Sequence, residues 1–292
     1  MKNRNLLPAV ILQVMTAVPA FCQNVAVTDK SGGITPASQL QVHKETAATS
    51  SLIQMTNQST GATATDGVKA GIDATQNAFI TNQETGGTVY IGTSTDNTTI
   101  EADGTLKFNG NATVWDDLQT PASAAGAQGS NVPDWVAFRG SNLKTWAFAD
   151  NNVNSEDELF FTLQLPHSWK EGSMVVPHFH IAAETAPAAN QNVVFKLEYV
   201  WANVNEAYPT STSTLTCTAP ITTSDDHRHM IASFGNLAPD ATTDKISSVL
   251  VCRLYRNSSN AADTYTGRVF LISLDLHYEK DTEGSRTATS KN

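Results

Sequence analysis

Residues 165–184 read LPHSWKEGSMVVPHFHIAAE and hold three of the chain's seven histidines, beside Trp169 and Lys170. From Met174 the stretch alternates with the period of a strand. Met174, Val176, His178 and His180 fall on one face, and Val175, Pro177, Phe179 and Ile181 on the other. The two imidazoles therefore point the same way. His-x-His on a strand can grip one divalent metal ion, and Glu184, on the same face beyond His180, offers an oxygen, so the expected metal set is His178, His180 and Glu184. The other reading places both imidazoles in hydrogen-bonded positions of a sheet or subunit interface. The polar loop before the strand, with His167, Trp169 and Lys170, is the expected binding surface, and Trp169 is expected to be exposed.

The same texture runs through the second half of the chain. Apolar runs occur at 135–138, 146–148, 159–165, 174–181, 193–201, 214–217, 230–234, 248–255 and 269–278, with no amphipathic helix of useful length between them. Some nine short strands in one stretch predict an all-β fold, a jelly-roll-like β-sandwich head over 134–279. In the last run Val269, Leu271, Ser273, Asp275 and His277 oppose Phe270, Ile272, Leu274, Leu276 and Tyr278. The second set is expected in the core and His277 on the opposite, solvent- or interface-facing side. The tail after 279 is expected to fray.

Upstream, residues 116–133 end in a stretch rich in Ala, Gly, Ser and Pro and read as a linker. Before them, residues 45–115 carry small apolar islands separated by Gly- and Asx-rich turns: Leu52-Ile53, Val68, Ile72, Phe79-Ile80, Val89 to Ile91, Ile100, Leu106 and Phe108. Such islands predict short strands that bury too little apolar surface to offset chain ordering, at ~1–2 kcal/mol per residue. Three copies pooling them would make a fibrous β-stem, so a homotrimer is expected. A flexible Thr/Ser-rich linker is the alternative, against which the threonine-rich alternation at 88–91 and 98–100 argues.

Residues 1–22 have the form of an export signal, with Lys2 and Arg4 before an apolar run and small residues near Ala20. Lipidation at Cys22 and a retained membrane anchor are the other readings. The apolar run is shorter than the ~20 residues that span a bilayer. A secreted, cell-surface or virion location follows, with the membrane touched only through this segment. Residues 23–44 read as a small attachment segment: strand, loop, strand. With 18 Lys+Arg against 28 Asp+Glu the net charge is −10, and no basic cluster offsets it, which excludes a nucleic-acid partner. Cys217 and Cys252 either form one disulfide or stay as two buried thiols.

The cluster Asp225-Asp226-His227-Arg228-His229 has acid, base and metal-ligand chemistry but the composition of an exposed turn. No Gly-x-Ser-x-Gly elbow, phosphate loop or His-Glu-x-x-His helix is present, so no common hydrolase or nucleotide chemistry is supported and no enzyme is expected.

Three resemblances bear on these residues. The phrases ATVWDDLQTP, DELFFTLQLPHSWKEGS, VPHFHI and FKLEYVWANVNE, within 112–206, resemble the carboxy-terminal domain of phage fibre or spike-type structural proteins. That resemblance implies a β-sandwich head with no enzymatic role for the histidine strand, presenting a surface for a receptor, a glycan or assembly. The spacing Gly172, His178, His180, Glu184 resembles the first cupin motif and implies, as the alternative, a metal enzyme. The cupin pattern expects glycine where Gln191 stands, and no second motif follows. The segment QNVAVTDKSGGITPASQLQVHK at 23–44 resembles the start of exported Bacteroidota surface proteins.

Overall fold

The computed structural model describes residues 25–28, 40–43, 50–150, 156–240 and 244–291. The expected leader at 1–22 lies outside the described residues. So does the attachment segment, apart from strands β1 (Val25–Thr28) and β2 (Leu40–His43), which pair in parallel. The chain divides into two compact units, Met1–Gly87 and Thr88–Asn292. No described helix is long and apolar enough to cross a membrane.

In the first unit, β3 (Ser51–Met55), β4 (Val68–Ile72) and β5 (Ala78–Asn82) form an antiparallel meander. Its register aligns Ile53 with Ala70 and Ile80, Met55 with Val68, and Ile72 with Ala78. One face is therefore mostly apolar, with Ser51 and Asn82 at its corners. Its large aliphatics are open among the described residues: Ile53 is 44% exposed, Met55 55%, Ile72 53% and Ile80 63%. The β4–β5 turn is tied by the Asp73 carboxylate, which accepts from the Thr75 and Asn77 backbone N–H groups at 2.8 and 2.9 Å.

The second unit opens with a meander of the same design: β6 (Val89–Gly92), β7 (Asn97–Ile100) and β8 (Leu106–Asn109). Val89, Ile100 and Leu106 line up on one face beside Ile91 and Phe108, with Ile91 and Ile100 exposed. The other face carries a polar ladder in which Asn109 Nδ2 donates to Asn97 Oδ1 and Thr99 Oγ1.

Beyond it lies a β-sandwich, and the fold is all-β as expected. Its strands are β9 (Val114–Pro121), β10 (Asp134–Ala137), β11 (Lys144–Phe148), β12 (Glu158–Gln164), β13 (Val175–Ala183), β14 (Gln191–Ala202), β15 (Ser213–Ile221), β16 (Met230–Ser233), β17 (Val249–Arg256) and β18 (Val269–Lys280). One sheet runs β10-β11-β18-β13-β16, with β9 also on β18; the other runs β12-β17-β14-β15. From β11 to β18 the chain changes sheet at every connection except β14 to β15, which is jelly-roll-like. Each of the nine apolar runs became a strand. The core lies between the sheets, where Phe148 meets Phe195 at 5.4 Å and Phe161 meets Phe179 at 6.0 Å between ring centroids.

The structure corrects four expectations. The start of the presumed linker is strand β9, which pairs with β18 from Ser273 to Lys280. Its place there is physical: β11 covers β18 only from Val269 to Leu271, and β9 closes the edge that would remain. The tail does not fray, because the Phe108 N–H donates to the Asp281 carbonyl at 2.7 Å and Lys291 pairs with Asp281. Those contacts also join the β6–β8 part of the presumed stem to the head's C-terminal residues, so the segment 45–115 is divided between the two units.

The fourth correction concerns the faces of β18. A bulge at Ile272, opposite the His180/Ile181 step of β13, shifts the alternation by one residue. Leu274, Leu276 and Tyr278 face the core as expected. Past the bulge, however, Val269 and Leu271 join them, while Phe270 turns outward into a small cluster with Ala147 and Ala182. Cys217 and Cys252 are separate buried thiols.

Candidate functional site

The outer face of the six-stranded sheet, opposite the core, gathers most of the molecule's histidines. Cross-strand register places Asp275 beside His178, Ser273 beside His180 and His277 beside both Val176 and Asp117. β16 brings Ile231 opposite His180 and Ser233 opposite His178, with His229 just before it. The rings then follow one another across the sheet. Centroids are 5.9 Å apart from His277 to His178, 5.3 Å from His178 to His180 and 4.8 Å from His180 to His229. At one end Trp115 of β9 lies flat on His277, 4.8 Å away at 6°. At the same end His277 Nδ1 lies 2.7 Å from Asp117 Oδ1.

Asp275 is the centre of the row. Its side chain is fully buried although it lies on the outer face, under the imidazoles. Ser273 Oγ donates to Oδ1 at 2.5 Å. Oδ2 accepts no hydrogen bond: His180 Nε2 lies at ion-pair distance, 2.6 Å, but without the alignment of a hydrogen bond, and His178 Nε2, at 3.8 Å, is beyond hydrogen-bond reach. A buried acceptor left so is costly, and it is aimed at two imidazole nitrogens. The far sides of both rings are held. His178 Nδ1 is 3.4 Å from the Val176 carbonyl, and His180 Nδ1 is 2.5 Å from His229 Nε2.

Glu184 does not belong to this group. It lies four residues beyond His180, about 13 Å along a strand at ~3.3 Å per residue, which is too far to share an ion. Arg268 holds it in a two-oxygen ion pair and keeps its carboxyl below the usual carboxylate range through those hydrogen bonds. The cupin ligand set is thus not assembled, and Asp275 stands where Glu184 was expected.

The expected binding trio is structural. Trp169 is fully buried, folded inward by the Trp169 N–H to Pro166 carbonyl turn and a bridge to Lys280, and packs at 6.1 Å from Trp201. His167 lies between Ser247 and Ser285 at 2.9 and 2.8 Å, and Lys170 pairs with Glu279 at 2.9 Å. A loop this polar folds inward because its charged ends find partners on β18 and the C-terminal residues. The cluster 225–229 is a turn, as its composition suggested, yet it adds a ligand-type group: pairing of Met230 with Ile181 sets His229 against His180.

Strand alternation puts Ser273, Asp275 and His277 on one face and His178 and His180 on one face, and the pairing of β13 with β18 makes these the same face. A separate cavity of about 500 Å³ is lined by Glu101, Asp103, Lys107, Asp281, Arg286 and Lys291 among others. Two of its three cations are already engaged, Arg286 by Asp103 and Lys291 by Asp281.

No protein-family model matches the chain, and no curated protein matches it. Among solved structures it is similar to CBM35 from Cellvibrio japonicus Abf62, at TM-score 0.31 and 14% identity, over 61% of this chain and 100% of that one. It is also similar to the CBM22-1–GH10 modules of the Clostridium thermocellum endo-1,4-beta-D-xylanase 10B, complexed with xylohexaose. That likeness has TM-score 0.32 and 12% identity, over 61% of this chain and 30% of that one. Neither likeness, at these scores, bears on what this chain does.

Proposed function

We propose that the chain is a non-enzymatic structural and binding protein of a virion or cell-surface fibre, assembled as a homotrimer through residues 51–109. The observation that supports this reading is the pair of meanders, each exposing large aliphatic side chains on one face, in a chain whose head has its own complete core. Fully burying an aliphatic side chain contributes about 1.5–3 kcal/mol. Ile53, Met55, Ile72 and Ile80 are each roughly half exposed, so covering that face stabilises an assembly by about 3–6 kcal/mol per chain before ordering costs.

The occupant favoured on the head is a glycan. Trp115, 51% exposed and stacked on His277, is a flat aromatic platform edged by the Asp117 carboxylate, the combination that orients a sugar ring.

Light scattering of the full chain tests the assembly, with an Ile72→Asp/Ile80→Asp variant beside it. Three chain masses for the parent and one for the variant are expected. A monomeric parent at micromolar concentration defeats the trimer. A glycan array comparing the parent with Trp115→Ala tests the head, and equal binding by both excludes the platform.

A further inference from the structure

We propose that His178, His180 and Asp275 form a binding site for one divalent transition-metal ion per chain on the outer face of the six-stranded sheet. Among the described residues these three are the one group of His, Cys, Asp or Glu whose ligand atoms all lie within 4.8 Å of one another. Two observations beyond proximity point to an ion. The first is Asp275 Oδ2, shut off from solvent, without a hydrogen bond and directed at the two Nε2 atoms. A buried carboxylate oxygen is stable when something positive meets it, and an ion at the centre of the three atoms does so.

The second is the outer ring of hydrogen bonds. A metal-bound imidazole donates its other N–H to a carbonyl, carboxylate or similar acceptor, and a bound carboxylate is itself held by a donor. All three ligands have such a partner: the Val176 carbonyl for His178 Nδ1, His229 Nε2 for His180 Nδ1, and Ser273 Oγ for Asp275 Oδ1. This arrangement leaves each inward nitrogen with its lone pair free for a metal.

The dimensions agree. Ligand atoms at ~2.0–2.1 Å from a tetrahedral zinc ion are ~3.3 Å apart, and the two nitrogen–oxygen distances, 2.6 and 3.8 Å, bracket that edge. Two imidazoles and one carboxylate suit zinc, iron(II) or cobalt(II), and not the all-oxygen shells of calcium or magnesium. The side chains of His178 and His180 are 11% and 20% exposed, so the ion's remaining position opens toward solvent at the sheet surface.

Full-length protein stripped with a chelator and dialysed is titrated with Zn²⁺ and, separately, Co²⁺. One equivalent per chain is expected, with the cobalt form developing the visible absorption of a low-coordinate site and excess Mg²⁺ or Ca²⁺ failing to displace it. His180→Ala should abolish stoichiometric binding. Ser273→Ala, which touches only the outer ring, should weaken it about 10- to 100-fold, and Glu184→Gln should leave it unchanged.

Cobalt spectroscopy of the parent reads the site without any variant that risks misfolding. The proposal is overturned if the parent shows no such spectrum, if His180→Ala binds as the parent does, or if Glu184→Gln loses the ion. One ion per three chains would overturn it too, since that requires a shared axial site in place of the three ligands each chain supplies. None of these readouts depends on oligomeric mass or on glycan binding.

Discussion

Replacing Asp263 by Ala should destabilise the head more than any surface change of similar size. The side chains of Arg256 and Asp263 are both buried, 0% and 1% exposed. Arg256 Nε donates to Asp263 Oδ2 at 3.0 Å and a terminal nitrogen to Oδ1 at 2.7 Å; the rest of the guanidinium serves the carbonyls of Phe148, Gly267 and Tyr265. Asp263 also accepts from the Val194 N–H at 2.9 Å, and so fastens the β17–β18 connection to β14. Removing one partner leaves a buried charge uncompensated, which costs about 3–5 kcal/mol. With a urea dependence of ~2 kcal/mol per molar, the midpoint should fall by about 1.5–2.5 M. All five tryptophans lie in Thr88–Asn292, so their fluorescence reports that unit alone. A double Arg256→Met/Asp263→Leu variant should cost less than the two single changes added, because no lone charge remains. A midpoint drop under about 0.5 M for Asp263→Ala, or full additivity in the double variant, would refute the reasoning.

Burial raises both thiols from the ordinary 9.0, Cys217 to about 11 and Cys252 to about 12. The unfolded chain therefore loses thiol protons first, and the stability from this source, complete below about pH 9, should decline as the pH rises toward 11–12 in urea titrations; Cys217→Ala/Cys252→Ala should flatten that decline. Glu184, held low chiefly by its Arg268 hydrogen bonds, contributes stability above the usual carboxylate range that is lost as the pH falls through its own lower value. Glu184→Gln should accordingly narrow the difference in Tm between pH 7 and pH 3, and an unchanged difference would count against the pair.

The strands of the head were legible because each run is apolar on one side and long enough to stand out from the Gly- and Asx-rich turns. The short islands of residues 51–109 were legible for the same reason, down to the exposed aliphatic side chains of Ile53, Met55, Ile72 and Ile80. Long-range pairing was not. Periodicity assigns a residue to a face of its own strand, but whether two polar faces coincide depends on which strands become neighbours. Thus His178 and His180 were read with Glu184, near in sequence, while Asp275 lies across the sheet at 97 residues' remove, by the register of β13 against β18. Trp169 was misplaced by its company. His167, Ser168 and Lys170 look like solvent-facing neighbours until Ser247, Ser285, Tyr278 and Glu279 supply their partners.

The bulge in β18 is the instructive failure of simple alternation, and it can be tested by deletion. Read as a regular strand, Val269 to Tyr278 would place Phe270 and Ile272 in the core with Leu274, Leu276 and Tyr278. The structure buries Val269 and Leu271 there instead, with Ile272 39% exposed and the register shifted opposite His180/Ile181. One supernumerary residue reconciles the two halves, since Leu274 to Tyr278 keep one parity and Val269 to Leu271 the other. Deleting Ile272 therefore leaves every remaining core residue on its own side: Leu271 comes two positions before Leu274, as strand alternation requires. Deleting Leu276 removes a core side chain and reverses the facing of everything before it, including Asp275 under the histidines. The Ile272 deletion should fold, with a urea midpoint within about 1 M of the parent, whereas the Leu276 deletion should not yield folded head. Equal damage from both would mean that the bulge residue is itself required, for instance to set the twist that brings His180 over Asp275, and that parity alone does not decide this strand.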